Sequence, residues 1–282
     1  METTSLLCIA IPVLLNYVLI RRWIIAEAKS TLQLTRGFDT LWADENQVGG
    51  AKMATILITG TNRGIGLEFT KQFLQRGDRV IATCRDLDAA DALRELQEKF
   101  DGLQFLQLDV ASTDSMREFV QELDGTAVDV FINNAGVYGP ANLKFGEIDG
   151  QVWASVLQVN SIAPLILSQM LMPNLRAGKD KKMVYLTSKM GSIADNSGGG
   201  SYIYRSSKTA LNSAVKSLAI DLASEGFIAA VLHPGWVLTD MGGPNALIDT
   251  KTSVAGMMKV IEGLSSERSG NFYNYDGSVI PW

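Results

Sequence analysis

The sequence predicts an α/β domain, a seven-stranded parallel sheet doubly wound by helices, on three observations. From Thr55 onward, short apolar runs alternate with amphipathic stretches. Most of those runs are continuous rather than alternating, as strands covered on both faces should be. The first run also passes through a glycine-rich turn directly into a helical pattern. Alternation of this kind gives parallel strands with helices on both sides of the sheet.

Taken in order, strands are expected at 55–59, 79–84, 103–108, 128–132, 182–187, 227–232 and 272–275. Helices are expected between them at 64–76, 87–100, 114–123, 150–176, 204–225 and 251–263. The clearest helix is the fifth, where Leu211, Val215, Leu218 and Leu222 recur on one face and Gly226 offers a C-terminal cap. No internal repeat is visible.

At 282 residues the chain has room for one α/β domain of roughly 200–250 residues and an appendage. A net charge of −5 leaves no basic footprint, which argues against nucleic-acid binding. Cys8 and Cys84 form neither a disulfide framework nor a metal spacing, so no metal is expected and a reducing cytosol fits. His233 is the single histidine, so a Ser-His-Asp hydrolase would have to use it. Its place before Pro234, at the end of an apolar run, reads as a packed or solvated loop histidine.

Residues 1–52 stand outside the pattern, leaving 53–282 as the folded domain. The apolar run 6–20 is broken by Pro12 and Asn16 and stopped by Arg21 and Arg22. As a helix it would reach about 22 Å, short of a hydrocarbon core of about 30 Å. Glu2, with no Lys or Arg ahead of the run, departs from a secretory signal. Three readings stay open: a dispensable or mis-assigned leader, a membrane anchor through residues 6–25, or a cleaved segment. The domain is accordingly expected in the cytoplasm, or anchored to a membrane and facing the cytosol.

Chemistry is signalled first by Tyr204 and Lys208, four residues apart on a helical run and hence on one face. A unit charge about 4 Å from a phenol, at an effective dielectric near 20, contributes roughly 4 kcal/mol. That would lower the tyrosine pKa by about three units, toward working pH. The motif is weak alone. Upstream, Thr59-Gly60-Thr61-Asn62-Arg63-Gly64-Ile65-Gly66 joins strand to helix, and such a turn exposes backbone N–H groups suited to a pyrophosphate.

The ordered set T-G-x-x-x-G-I-G, Asp109-Val110, Asn133-Asn134-Ala135-Gly136, Asn160, Ser188, Tyr204-x-x-x-Lys208 and Pro234-Gly235 resembles the short-chain dehydrogenase/reductase family over residues 54–282. The sequences Tyr204-Arg205-Ser206-Ser207-Lys208, Pro234-Gly235-Trp236-Val237 and Tyr273-Asn274-Tyr275-Asp276-Gly277 are similar to its carbonyl-reductase branch, which includes C-factor-like proteins. The resemblance implies a single Rossmann-like domain and a dinucleotide site. Gly60, Asn62, Arg63, Gly64, Ile65 and Gly66 would form the cofactor turn, and Asp109 and Val110 would meet the adenine. Asn133, Ala135 and Gly136 would support the cofactor ribose; Pro234, Gly235 and Val237 would border the nicotinamide, with Thr239 near the diphosphate. Ser188 would hold the substrate oxygen, Tyr204 pass the proton and Asn160 support a relay to Lys208. Lys208 would tune Tyr204 and hold the ribose.

Rival residues are weaker. Tyr185 has Lys189 four residues on, but in a strand that spacing spans about 13 Å. Tyr202 is followed at the same spacing by uncharged Ser206. Thr187 and Ser192 are alternatives to Ser188, which holds the matching place after the strand. Ser188 lies farther from Tyr204 than is common in the family, through the glycine-rich 195–201 stretch, which reads as a loop insertion. Cys84 stands where NAD-preferring relatives carry an acid, and Arg85 and Arg63 flank that place, favouring NADP(H) over NAD(H). The expected activity is reversible, NADPH-dependent reduction of a small carbonyl compound, with Tyr138, Met190, Trp236 and residues 242–250 walling an apolar pocket. The alternative is a cofactor-bound regulatory protein with little turnover. The oligomeric state stays open, a homo-oligomer included.

Overall fold

The computed structural model describes residues 53–141 and 143–282; the expectations for residues 1–52, including the apolar run, lie outside the described residues. The strands are β1 (Thr55–Thr59), β2 (Arg79–Cys84), β3 (Leu103–Gln107), β4 (Val130–Asn133), β5 (Lys182–Leu186), β6 (Ile228–His233) and β7 (Phe272–Asn274). The helices are α1 (Gly64–Arg76), α2 (Asp91–Gln97), α3 (Thr113–Glu122), α4 (Gly150–Leu157), α5 (Ala163–Ala177), α6 (Tyr202–Asp221) and α7 (Thr250–Glu262). The sheet runs β3-β2-β1-β4-β5-β6-β7, every pair parallel. This is the doubly wound architecture expected. The order reverses between β1 and β4, and ligands of such sheets bind at the carboxyl ends beside that reversal.

The period of two along each strand builds two cores. Ile56 and Ile58 of β1 face one, under α1 and α7. Leu57 faces the other, under α3, α5 and α6. Fully burying a side chain of this size contributes roughly 1.5–3 kcal/mol. The loops at the carboxyl edge therefore rest on a rigid base.

Two departures from expectation have local causes. The expected helix at 150–176 is divided by a π-helical turn, Gln158–Ile162, with the Ala163 N–H reaching back to Gln158 O. Pro164 follows at once and has no N–H to continue the regular ladder. The expected helix at 87–100 contracts to α2, and its first residues form a turn closed by Ala90 N–H on Leu87 O. Gly226, at φ 80°, closes the short 3₁₀ turn after α6, the left-handed position glycine favours. Gly150–Ala177 is long and apolar enough to cross a membrane by length and composition alone, yet half of an apolar 18-residue window within it is buried inside the domain.

Candidate active site

The β1–α1 turn is shaped by three glycines, two of them at positive φ, 71° at Gly60 and 59° at Gly64. A Cβ on Gly66 would stand 2.1 Å from Gly60 O and 2.6 Å from Asn134 Nδ2, so no larger residue fits. Asn134 donates from Nδ2 to Thr59 O and Gly60 O, both at 2.8 Å. Thr59 Oγ1 accepts the N–H groups of Asn134 and Ala135, both at 3.0 Å. Asn134 thus braces the turn, a part the sequence reading did not give it despite its place in the Asn133–Gly136 motif. The start of α1 has no side-chain cap and no acid in its first turn. Its N–H groups and dipole are open to an anion. Thr239 comes close, its Cγ2 3.5 Å from where a Gly64 Cβ would be. Asn62 and Ile65 lie in the turn and first helical residues, half-buried.

Around this turn the other expected cofactor residues fall at the carboxyl edge. Cys84 ends β2, and Arg85 after it is exposed. Arg63 is paired instead with Asp240, Nη1 to Oδ2 at 2.7 Å, both side chains 75% exposed. Asp109 and Val110 follow β3, and the Asp109 carboxylate accepts the Ala111 N–H at 2.9 Å. Pro234, Gly235 and Val237 follow β6; Gly235 has φ 85°, and a Cβ there would lie 2.7 Å from Ile248 Cδ1.

The four expected catalytic side chains are brought together, all buried: Asn160, Ser188, Tyr204 and Lys208. Ser188 ends the stretch after β5, and its Oγ accepts the Met190 N–H at 3.1 Å. Its hydroxyl also meets the Tyr204 phenol. Both rival hydroxyls are committed elsewhere. Thr187 donates to Asn212 Oδ1 at 2.6 Å and Ser192 to Pro281 O at 2.6 Å. Tyr185 is sealed in the core against Ser168, at 2.7 Å. Asn160, within the π turn, accepts the Val137 N–H at 2.9 Å and donates to Val137 O at 2.7 Å and to Ser207 Oγ at 3.0 Å. It does not bond Lys208 directly. A Cβ on Gly136 would lie 3.1 Å from Asn160 Oδ1 and 3.4 Å from Lys208 Nζ, so the glycine keeps the space between them clear.

The electrostatics correct the simple pair argument. Lys208 Nζ lies 5.9 Å from the Tyr204 ring centroid and donates to Leu186 O at 3.0 Å. Burial pushes the Tyr204 phenol up to about 12, against the lowering effect of the Ser188 hydrogen bond. Burial brings Lys208 down to about 8. With both groups out of water, the cost of the charged form is the largest influence on each. Tyr138 stacks on Tyr204 with ring centroids 4.4 Å apart, a contact that a pocket-wall assignment alone did not foresee.

An uncapped glycine turn thus stands beside a buried Tyr–Lys–Ser–Asn cluster at the edge of a doubly wound sheet. The short chain dehydrogenase family model matches residues 54–247, and the chain belongs to that family. It is 46% identical over 167 residues to C-signal of Myxococcus xanthus, covering 59% of this chain and 100% of the relative. It is similar to carbonyl reductase Sniffer of D. melanogaster, with 33% identity, a TM-score of 0.77 and coverage of 82% of this chain and 100% of that one. The same identity, coverage and score hold for an NADPH-bound carbonyl reductase from chicken fatty liver.

Proposed function

We propose that the chain is an NADPH-dependent oxidoreductase that reduces a small apolar carbonyl compound to the alcohol, reversibly. The observation that carries this reading is the joint burial of Asn160, Ser188, Tyr204 and Lys208 at the sheet edge beside an anion-ready turn. The NADPH-bound structural neighbour supports the choice of cofactor. NADPH, when bound, supplies the hydride that reaches the carbonyl carbon.

The side chains supply the rest. Ser188 Oγ donates to the carbonyl oxygen and orients it toward Tyr204. A phenol near pKa 12 stays protonated at neutral pH, so Tyr204 serves as the acid that protonates the developing alkoxide. Lys208 stabilises the phenolate left behind, and Asn160 and Gly136 keep a relay path to Lys208 open. Gly60, Gly64, Gly66, Asn62, Ile65 and Thr239 hold the diphosphate. Asp109 and Val110 meet the adenine; Asn133, Ala135, Gly136 and Lys208 hold the ribose side, and Pro234, Gly235 and Val237 back the nicotinamide. Arg85 binds the 2′-phosphate, joined by Arg63 once it leaves Asp240; an exposed pair of that kind holds weakly. We place the domain boundary at Met53 and the domain in the cytoplasm.

Exposed apolar side chains after β4, β5 and β6, among them Ile193, Trp236, Met241 and Leu247, support an apolar substrate. The relative called C-signal favours a second reading, a cofactor-bound signalling protein with little turnover. Nicotinamide absorbance followed across a panel of aldehydes and ketones separates the two. Substrate-dependent loss of NADPH is expected, and its absence across the panel would favour the signalling reading.

A further inference from the structure

The loop that carries Ser188 is tied down from two directions. On one side α6 holds it: Arg205 Nη1 donates to Met190 O at 3.3 Å, and Thr209 Oγ1 donates to Gly191 O at 2.9 Å. On the other side lies a segment distant in sequence. After β7 the chain turns at Asn274–Ser278 and returns antiparallel, bridging Val279 to Tyr273. The Ile280 N–H bonds Phe272 O at 2.8 Å, Ile280 is buried, and the Trp282 ring packs 5.7 Å from that of Phe272. This return brings two carbonyls to the Ser188 loop. Ser192 Oγ, 1% exposed, donates to Pro281 O at 2.6 Å, with Trp282 O at 3.3 Å, and accepts the Asp195 N–H at 3.1 Å. The Ala194 N–H donates to Trp282 O at 2.9 Å. Lys189 and Asp195 close the loop across its ends at 3.1 Å.

We propose that Ser192 and the Val279–Trp282 return form a strap that positions Ser188 against Tyr204 during turnover. The inference rests on the carbonyl-reductase reading for its catalytic half. Ser192 touches neither the Tyr204 phenol nor the reacting atoms; it acts through the loop. The five residues from Ser188 to Ser192 contain a single 3₁₀ turn, Lys189–Gly191, so any drift of Ser192 is passed to Ser188 with little slack. Misplacement of a catalytic group by about 1 Å can cost about a hundredfold in rate.

The test uses the full chain, Ser192→Ala, Trp282→Ala and a chain ending at Ile280, with amide hydrogen exchange and steady-state kinetics on each. Exchange at Met190–Ala194 is expected to rise about tenfold or more in Ser192→Ala and in the shortened chain, while amides of α6 stay protected. In the same proteins kcat is expected to fall by about ten- to a hundredfold, with NADPH affinity within twofold. Combining Ser192→Ala with the shortened chain should add little, because both cut one tie. Trp282→Ala, which keeps the backbone carbonyls, gives a smaller shift in the same direction and serves if the shortened chain fails to fold. Unchanged exchange in Ser192→Ala overturns the strap whether or not the protein turns over. Raised exchange with unchanged kcat overturns its catalytic role. Failure of the carbonyl-reductase reading looks different: the unaltered protein oxidises no NADPH, while the exchange arm still decides the strap.

Discussion

The two flanks of Tyr204 are built from different materials. The cofactor flank is backbone: Gly60, Gly64 and Gly66 are held at fixed dihedrals or close approaches, and Thr59 and Asn134 bond main-chain groups. The flank proposed for substrate is side chain: Ile193, Trp236, Met241 and Leu247 lie in loops and are 50–78% exposed. Where backbone geometry sets the site, each position admits one residue type, and change breaks it. Where exposed side chains set it, change retunes it.

The largest effect should fall on the cofactor flank. Gly66→Ala puts a methyl group against Gly60 O, and measurable NADPH binding is expected to disappear in fluorescence titration. Gly198→Ala, in the open loop after β5 where nothing lies within 4 Å, should leave binding unchanged. Binding retained by the first variant would break the distinction.

Next comes the 2′-phosphate. A hydrogen bond to a charged group is worth about 1.5–3 kcal/mol, so Arg85→Ala should weaken NADPH binding roughly ten- to a hundredfold. NADH binding should hardly move. Cys84→Asp added to it should favour NADH by offering the ribose an acceptor and repelling the phosphate. Equal affinity of the unaltered protein for both cofactors would remove the clamp from the account.

Lys208 joins the flanks, and its burial has a cost that pH can expose. Its pKa of about 8 in the fold lies below the unfolded value of about 10.4. Between those values the unfolded chain holds more protons, so stability rises with pH across that window. Below it the folded chain carries a buried charge costing at most about 3 kcal/mol. Lys208→Met should therefore melt higher than the unaltered protein near neutrality in the absence of cofactor. That advantage should shrink as pH climbs through about 10. A lower melting temperature at every pH would show that the bond to Leu186 O outweighs the burden.

The smallest effect belongs to the substrate flank. Leu247 is 78% exposed, so Leu247→Ala should change stability by less than about 0.5 kcal/mol. It should raise KM for an apolar carbonyl compound by about three- to tenfold. An unchanged KM across carbonyls of increasing size would take Leu247 out of the pocket.

The same contrast explains what could be read from the sequence. Most strands were legible because they are buried on both faces and therefore continuously apolar, the edge strand β3 because its buried and exposed residues alternate, and the glycine turn because its spacing follows from its geometry. Ser188, Tyr204 and Lys208 could be named from their order along the chain. The pKa of Tyr204 could not, since it depends on burial that spacing does not encode. Three further contacts were hidden for a related reason. Tyr138 on Tyr204, Asn134 on the glycine turn and Ser192 on Pro281 each join segments distant in sequence, with no local pattern to announce them.

The most direct test of the whole account is Tyr204→Phe, which keeps the ring and its packing and removes only the proton donor. NADPH affinity should stay within a few-fold, while carbonyl-dependent NADPH oxidation falls by about 10²–10⁴. Retention of most of the turnover would contradict proton transfer by Tyr204, and with it the reading of the buried cluster as the catalytic centre.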